Sequence, residues 1–99
     1  MFSLKELSGR VVFLRYKAGF TTFEIPEDLN VENQDYIYIE MGVYMPTEAS
    51  LLAISKYHGV SPEWLLTGIP TNEYEAQLNV EYEIDKIECQ KALRELGIE

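Results

Sequence analysis

Glycines that follow short amphipathic runs are the feature that most constrains how this chain can fold. Gly19, Gly42, Gly59 and Gly68 each come directly after a run with helical periodicity. Glycine adopts the left-handed conformation that ends many helices without the steric cost of a side chain. Their spacing therefore predicts a series of short helices in the first 68 residues.

Polar and proline residues mark where these helices should begin. The first helix covers residues 10–18, and a capping-box pair, Thr21 and Glu24, predicts that a second begins at Thr21. A turn at Asn30 precedes a third helix, whose apolar face carries Val31, Tyr36 and Ile39. Pro46 and Thr47 open a fourth helix, and Ser61 with Pro62 at the first helical position opens a fifth.

The segment after Gly68 is ambiguous. Leu78, Val80, Tyr82 and Ile84 alternate with polar residues, which is the period of a β-strand. The flanking residues instead favour one long helix from about Asn72. The alternatives are that long helix, or a strand followed by a short helix that begins at Asp85.

Charge and the lack of reactive motifs exclude several classes of function. Seventeen acidic residues against eight basic ones give a net charge of −9, which is the wrong sign for binding phosphates. The start of the chain lacks the features of a signal peptide, and no apolar run is long enough for a membrane helix, so we expect a cytoplasmic protein. No motif with catalytic or phosphate-binding spacing occurs, so we expect neither an enzyme nor a bound cofactor.

The single cysteine and the single histidine are expected to be structural. Cys89 excludes an internal disulfide, and neither it nor His58 has the neighbours in sequence that a zinc site needs. Cys89 is predicted to be a small buried apolar group. His58, one residue before Gly59, is predicted to place partial positive charge at a helix end.

The order of the five helices resembles the Cro/CI-type helix-turn-helix family of phage and bacterial repressors. The similarity runs ungapped from about Arg10 to Gly68 and is most specific in the segment 59–68, GVSPEWLLTG. It implies an all-α fold with a five-helix repressor-type domain over residues 1–68. The similarity does not reach residues 69–99, which we expect from their own sequence to form an acidic, largely helical extension and a candidate dimerisation segment. The resemblance also implies that Arg15 in the first helix pairs with Glu40 at the end of the third.

Two departures from the family pattern concern the helices that would meet DNA. Pro26 stands inside the second helix, where proline removes a hydrogen bond, so this helix is expected to be kinked, shortened or started afresh at Pro26. The family reads DNA with its third helix, yet no Lys or Arg occurs between Ala18 and Lys56. Apolar residues stand there instead, and we predict a protein-binding strip made of Ile37, Tyr38, Met41, Val43, Tyr44 and Met45.

Two main hypotheses for function follow. The preferred one is a small regulatory protein of phage or mobile-element type that binds a repressor, a nuclease or another DNA-binding protein, as an antirepressor or inhibitor would. The alternative is a sequence-specific transcriptional regulator that dimerises through residues 72–98. Its DNA contacts would come from Asn33, Gln34, Arg10, Arg15 and Lys17. A third hypothesis, a self-assembling module, rests only on the alternating residues 78–84.

Overall fold

Helices account for all the regular secondary structure in the computed structural model, which describes residues 3–97. The chain forms five α-helices and one short 3₁₀ helix, so the predicted all-α fold class is confirmed for the described residues. In chain order the elements are α1 (Leu4–Ala18), the 3₁₀ helix (Glu27–Leu29), α2 (Asn33–Met41), α3 (Glu48–His58), α4 (Pro62–Thr67) and α5 (Glu73–Glu95).

The predicted helix ends are confirmed. Gly19, Gly42, Gly59 and Gly68 all have left-handed backbone conformations and cap α1 to α4. A side chain at position 68 would also crowd Arg10, because a Cβ there would lie 2.9 Å from Nη1 of Arg10. At the other end, α1 begins earlier than predicted, at Leu4.

The predicted second helix does not form at Thr21. Residues 21–25 are turns and irregular backbone, and the main-chain N–H of Glu24 donates to the carbonyl of Thr21. Pro26 lies just before the 3₁₀ helix, so of the three outcomes expected at this proline, a fresh start is the one observed. The reason is local: proline disfavours helical backbone at the preceding residue and has no N–H to donate.

The ambiguous segment is one helix, and the strand alternative is wrong. Asn72 caps α5 by accepting a hydrogen bond from the N–H of Glu75, and the helix continues without a break past Asp85. Leu78 enters the core, whereas Val80 and Ile84 lie on the opposite, exposed side. The alternation in sequence therefore reflects a helix with apolar residues on two faces. Cys89 is exposed, contrary to expectation, because α5 has left the core by this point.

The first half of α5 packs against the preceding helices. Trp64 is fully buried, and its indole Nε1 donates to Asn79 Oδ1 at 2.9 Å. The Asn79 amide in turn donates to the carbonyl of Gly68. These contacts cross the predicted boundary after Gly68, so the first half of α5 and the preceding helices share a single hydrophobic core. Its buried apolar residues are Leu7, Val11, Phe13, Leu14, Leu29, Tyr36, Ile39, Leu51, Ile54, Val60, Trp64, Leu65 and Leu78.

Candidate functional site

The six residues predicted to bind a partner lie on α2 and on the loop that follows it. We call them the α2 strip: Ile37, Tyr38, Met41, Val43, Tyr44 and Met45. Tyr36 and Ile39 occupy the inward face of α2, which leaves Ile37 and Tyr38 half-buried at its edge. Met41 is 66% exposed, Val43 56% and Met45 47%. The strip thus presents apolar side chains to solvent from both the helix and the loop.

Two tyrosines hold the loop against the helix. The rings of Tyr38 and Tyr44 meet edge to face with centroids 5.7 Å apart. The Tyr44 hydroxyl donates to Asp35 Oδ1 at 3.1 Å, and Gln34 Nε2 donates to the Tyr38 hydroxyl at 3.0 Å. Partial desolvation and the hydrogen bond to Asp35 raise the pKa of Tyr44. Side chains of α2 therefore contact the loop that follows the helix.

The surroundings of the α2 strip are acidic. Glu32 is the N-cap residue of α2 and Asp35 lies on its first turn, both exposed, and Glu40 lies near the end of the helix. Glu40 is neutralised by Arg15, whose Nε lies 2.6 Å from Glu40 Oε2. This is the pair that the family resemblance implied. Glu32 and Asp35 consequently set a negative potential at the start of the helix.

The arginines considered for DNA binding are engaged within the domain. Arg10 is 5% exposed, and it donates to the carbonyls of Leu65 and Leu66 at 2.8 and 2.9 Å. Arg15 donates to Glu40 and also to the carbonyl of Phe20. Both guanidinium groups join helices to one another and are not positioned to meet a phosphate.

Lys17 and the two amide residues considered for DNA contacts are more exposed. Lys17 Nζ lies 2.7 Å from Glu81 Oε1 in an exposed ion pair that water and salt screen. Asn33 Nδ2 donates to the carbonyl of Thr22 at 3.3 Å. Gln34 donates to Tyr38, so both amides already have partners in the chain.

Sequence reasoning missed the buried carboxylate of Glu75. This fully buried side chain accepts hydrogen bonds from the main-chain N–H groups of Ser61 and Thr71 at 2.6 and 2.8 Å, and from the Thr71 hydroxyl. Burial raises the pKa of Glu75, but these hydrogen bonds outweigh it and leave the pKa below its ordinary value. The sequence indicated only that a helix could begin at about Asn72. Its link to α4 depends on tertiary structure.

Neither a metal-binding cluster nor a membrane-spanning helix is found among the described residues. Within residues 3–97, no group of three or more His, Cys, Asp and Glu side chains lies together as a metal site would require. No helix in that range is long and apolar enough to cross a membrane. Among the described residues, the structure is a small helical protein that presents an exposed apolar strip beside acidic residues.

Comparison with protein-family models, with curated proteins and with solved structures gives no match to this chain.

Proposed function

We propose that this chain is a small regulatory protein that acts by binding another protein through the α2 strip. The observation that carries the proposal is the exposure of Met41, Val43 and Met45 beside the Tyr38–Tyr44 ring pair. Exposed apolar groups in one contiguous patch mark protein interfaces more often than free surface. Tyrosine and methionine are enriched in the centres of such interfaces.

Charge indicates the kind of partner. Glu32 and Asp35 flank the α2 strip, and the whole chain carries a net charge of −9. The complementary surface is an apolar groove with a basic rim, which attracts the acidic protein at long range and excludes acidic competitors. DNA-binding proteins such as repressors and nucleases carry basic surfaces of this kind. Occupying that surface would inhibit them, as an antirepressor does.

A DNA-binding regulator, the alternative interpretation of the sequence, has less support. Arg10 and Arg15 bond to carbonyls and to Glu40, which leaves Lys17 as the one exposed cation among the three proposed. Without displaced counterions, specific base contacts would have to overcome electrostatic repulsion. A titration with DNA fragments from the chain's own locus at low and physiological salt tests this alternative. Tight retention that weakens steeply with salt would favour it.

The proposal is tested by site-specific photo-crosslinking in the cells that encode the protein. A photoreactive amino acid replaces Met45 in one variant and Ile69 in another. Ile69 is a matched control because it is 65% exposed and apolar but lies between α4 and α5. The proposal expects one protein to be linked at position 45 and not at 69, and that protein, once purified, to bind the chain saturably. Equal linking at both positions, or no saturable binding, would overturn it.

A further inference from the structure

The last turns of α5 project beyond the folded core. Every side chain from Ile87 to Gly97 is exposed, including Leu93 at 36% and Leu96 at 73%. A helical segment this short gains little stability from its own hydrogen bonds, and in proteins such segments are usually held by packing. These turns therefore carry apolar groups and lack a packing partner within the described chain.

The apolar residues of the projecting segment continue the face that α5 buries in the core. At 100° per residue, Cys89, Leu93 and Leu96 fall on the same side of the helix as Leu78 and Tyr82. Ile87 falls on the opposite side. The apolar face that α5 turns toward the core therefore continues along the helix beyond the part that α1 covers.

A groove lies directly beside this apolar face, between α1 and α5. It is shallow, with a volume of about 180 Å³, and its lining includes Val12, Tyr16, Tyr82 and Cys89. Tyr16 is 70% exposed, while Phe13 packs on Tyr82 with ring centroids 5.3 Å apart and forms the groove floor. The groove is therefore accessible and mostly apolar, and its lining also includes the charged residues Asp85 and Lys86.

The groove and the projecting segment have the same length. On α5 the groove extends from Tyr82 to Cys89, and the uncovered part of the apolar face extends from Cys89 to Leu96. Each interval spans about 10 Å at 1.5 Å per residue. If a twofold axis passes near Cys89, the projecting segment of each copy lies on the groove of the other copy. Both projecting segments and both grooves are then covered.

Charge is compatible with a second copy at this place. Between Asp85 and Leu96 three acidic residues are balanced by three basic ones, so the segment is neutral although the chain carries −9. The acidic residues of the segment are Asp85, Glu88 and Glu95, and the basic ones are Lys86, Lys91 and Arg94. Two copies can meet here without the repulsion that the rest of the surface would impose.

We propose that the chain forms an antiparallel homodimer in which the C-terminal turns of α5 pack on the α1–α5 groove of a second copy. Such an interface is isologous, since each copy supplies the same two surfaces. Leu93 and Leu96 contact Val12, Tyr16 and Tyr82 of the second copy, and the two Cys89 side chains lie close to the axis. The proposal rests on α1 and α5 alone and is independent of the α2 strip.

Sedimentation equilibrium from micromolar to submillimolar concentration tests the dimer. We expect the wild type to reach the dimer mass and the Leu93→Glu/Leu96→Glu variant to remain monomeric. Ile87→Glu is the matched control, because it places a charge on the opposite face of the same turns. It should leave dimerisation intact. Circular dichroism should show a folded domain in each variant. A monomeric wild type, or dissociation by Ile87→Glu alone, would overturn the proposal.

The single cysteine tests the antiparallel register. A short bis-maleimide should link two copies through Cys89 at protein concentrations where the dimer is populated, and Cys89→Ser should abolish the product. A dimer that only long-armed reagents can link would contradict an axis near Cys89.

Discussion

Arg15 and Glu40 join α1 to the end of α2 through a hydrogen-bonded ion pair of 2.6 Å between Nε and Oε2. Both side chains are largely shielded from solvent, at 14% and 10% exposure, and Arg15 also holds the carbonyl of Phe20. Glu40 immediately precedes Met41. The pair therefore fixes the orientation of the helix that carries the α2 strip.

Arg15→Met should destabilise the domain by about 2 kcal/mol, because the Glu40 carboxylate would stay partly buried without its donor. Urea unfolding of this variant, of Glu40→Leu and of the double variant checks the coupling. The double variant should lose less stability than the two single losses combined. Simple additivity of the two losses would show that the pair contributes no coupling energy.

Glu75→Gln should lower the free energy of unfolding by roughly 1–3 kcal/mol at neutral pH, because an amide cannot replace a carboxylate that accepts several hydrogen bonds. The pKa of Glu75 is lowered in the folded state, so its stabilisation is present above the ordinary glutamate pKa. That stabilisation is lost as the pH falls through the folded pKa. Denaturant titrations at pH 7 and at pH 3 should therefore show a smaller difference between variant and wild type at the lower pH. An unchanged difference would contradict this role.

His58 should make the fold sensitive to mild acid. Burial lowers its pKa from 6.5 to about 4, and its Nε2 lacks a hydrogen-bond partner among the described residues. The expectation of positive charge at this helix end was wrong, because the imidazole is shielded by Phe20 and Tyr57.

Between pH 6.5 and 4, His58 therefore binds a proton in the unfolded chain but not in the folded chain. Because of this difference, the free energy of unfolding falls as the pH falls through this window. The loss should be on the order of 2 kcal/mol. His58→Phe should remove that part of the pH dependence, as measured by thermal unfolding at pH 7, 5.5 and 4.5. A variant as acid-sensitive as the wild type over this window would contradict the account.

Pro26→Ala should lower stability by about 0.4–1 kcal/mol. The backbone φ of −57° at Pro26 suits proline, so its ring restricts the unfolded chain without straining the fold. Differential scanning calorimetry checks the sign. A rise in melting temperature would mean that the substituted chain recovers the longer second helix that the family resemblance implied.

Local signals predicted most of the helix ends, while tertiary contacts decided the rest. Gly42 and Ser61 act through their own backbone and nearest neighbours, so their roles could be predicted from residue type alone. The capping-box pair at Thr21 does not start a helix, because Pro26 constrains the backbone of the same short segment. Glu75 could not be predicted as a buried acceptor, since its partner Ser61 is supplied by α4.

The candidate site shows the same division between local and tertiary information. The exposure of Met41 followed from the face of α2 that Tyr36 and Ile39 occupy, whereas Met45 lies in the loop, which helical periodicity does not reach. The engagement of Arg10 with the carbonyls of α4 did not follow from sequence, because the two lie more than 50 positions apart.

The most direct test of the central claim is a calorimetric titration of the purified partner identified by crosslinking at Met45. Three proteins are compared: the wild type, Met41→Ser/Met45→Ser, and the control Ile69→Ser. The account predicts that the strip variant raises Kd by about tenfold or more, which corresponds to a loss of about 1.4 kcal/mol. Ile69→Ser should leave Kd unchanged. Equal affinity of all three proteins would contradict protein binding through the α2 strip.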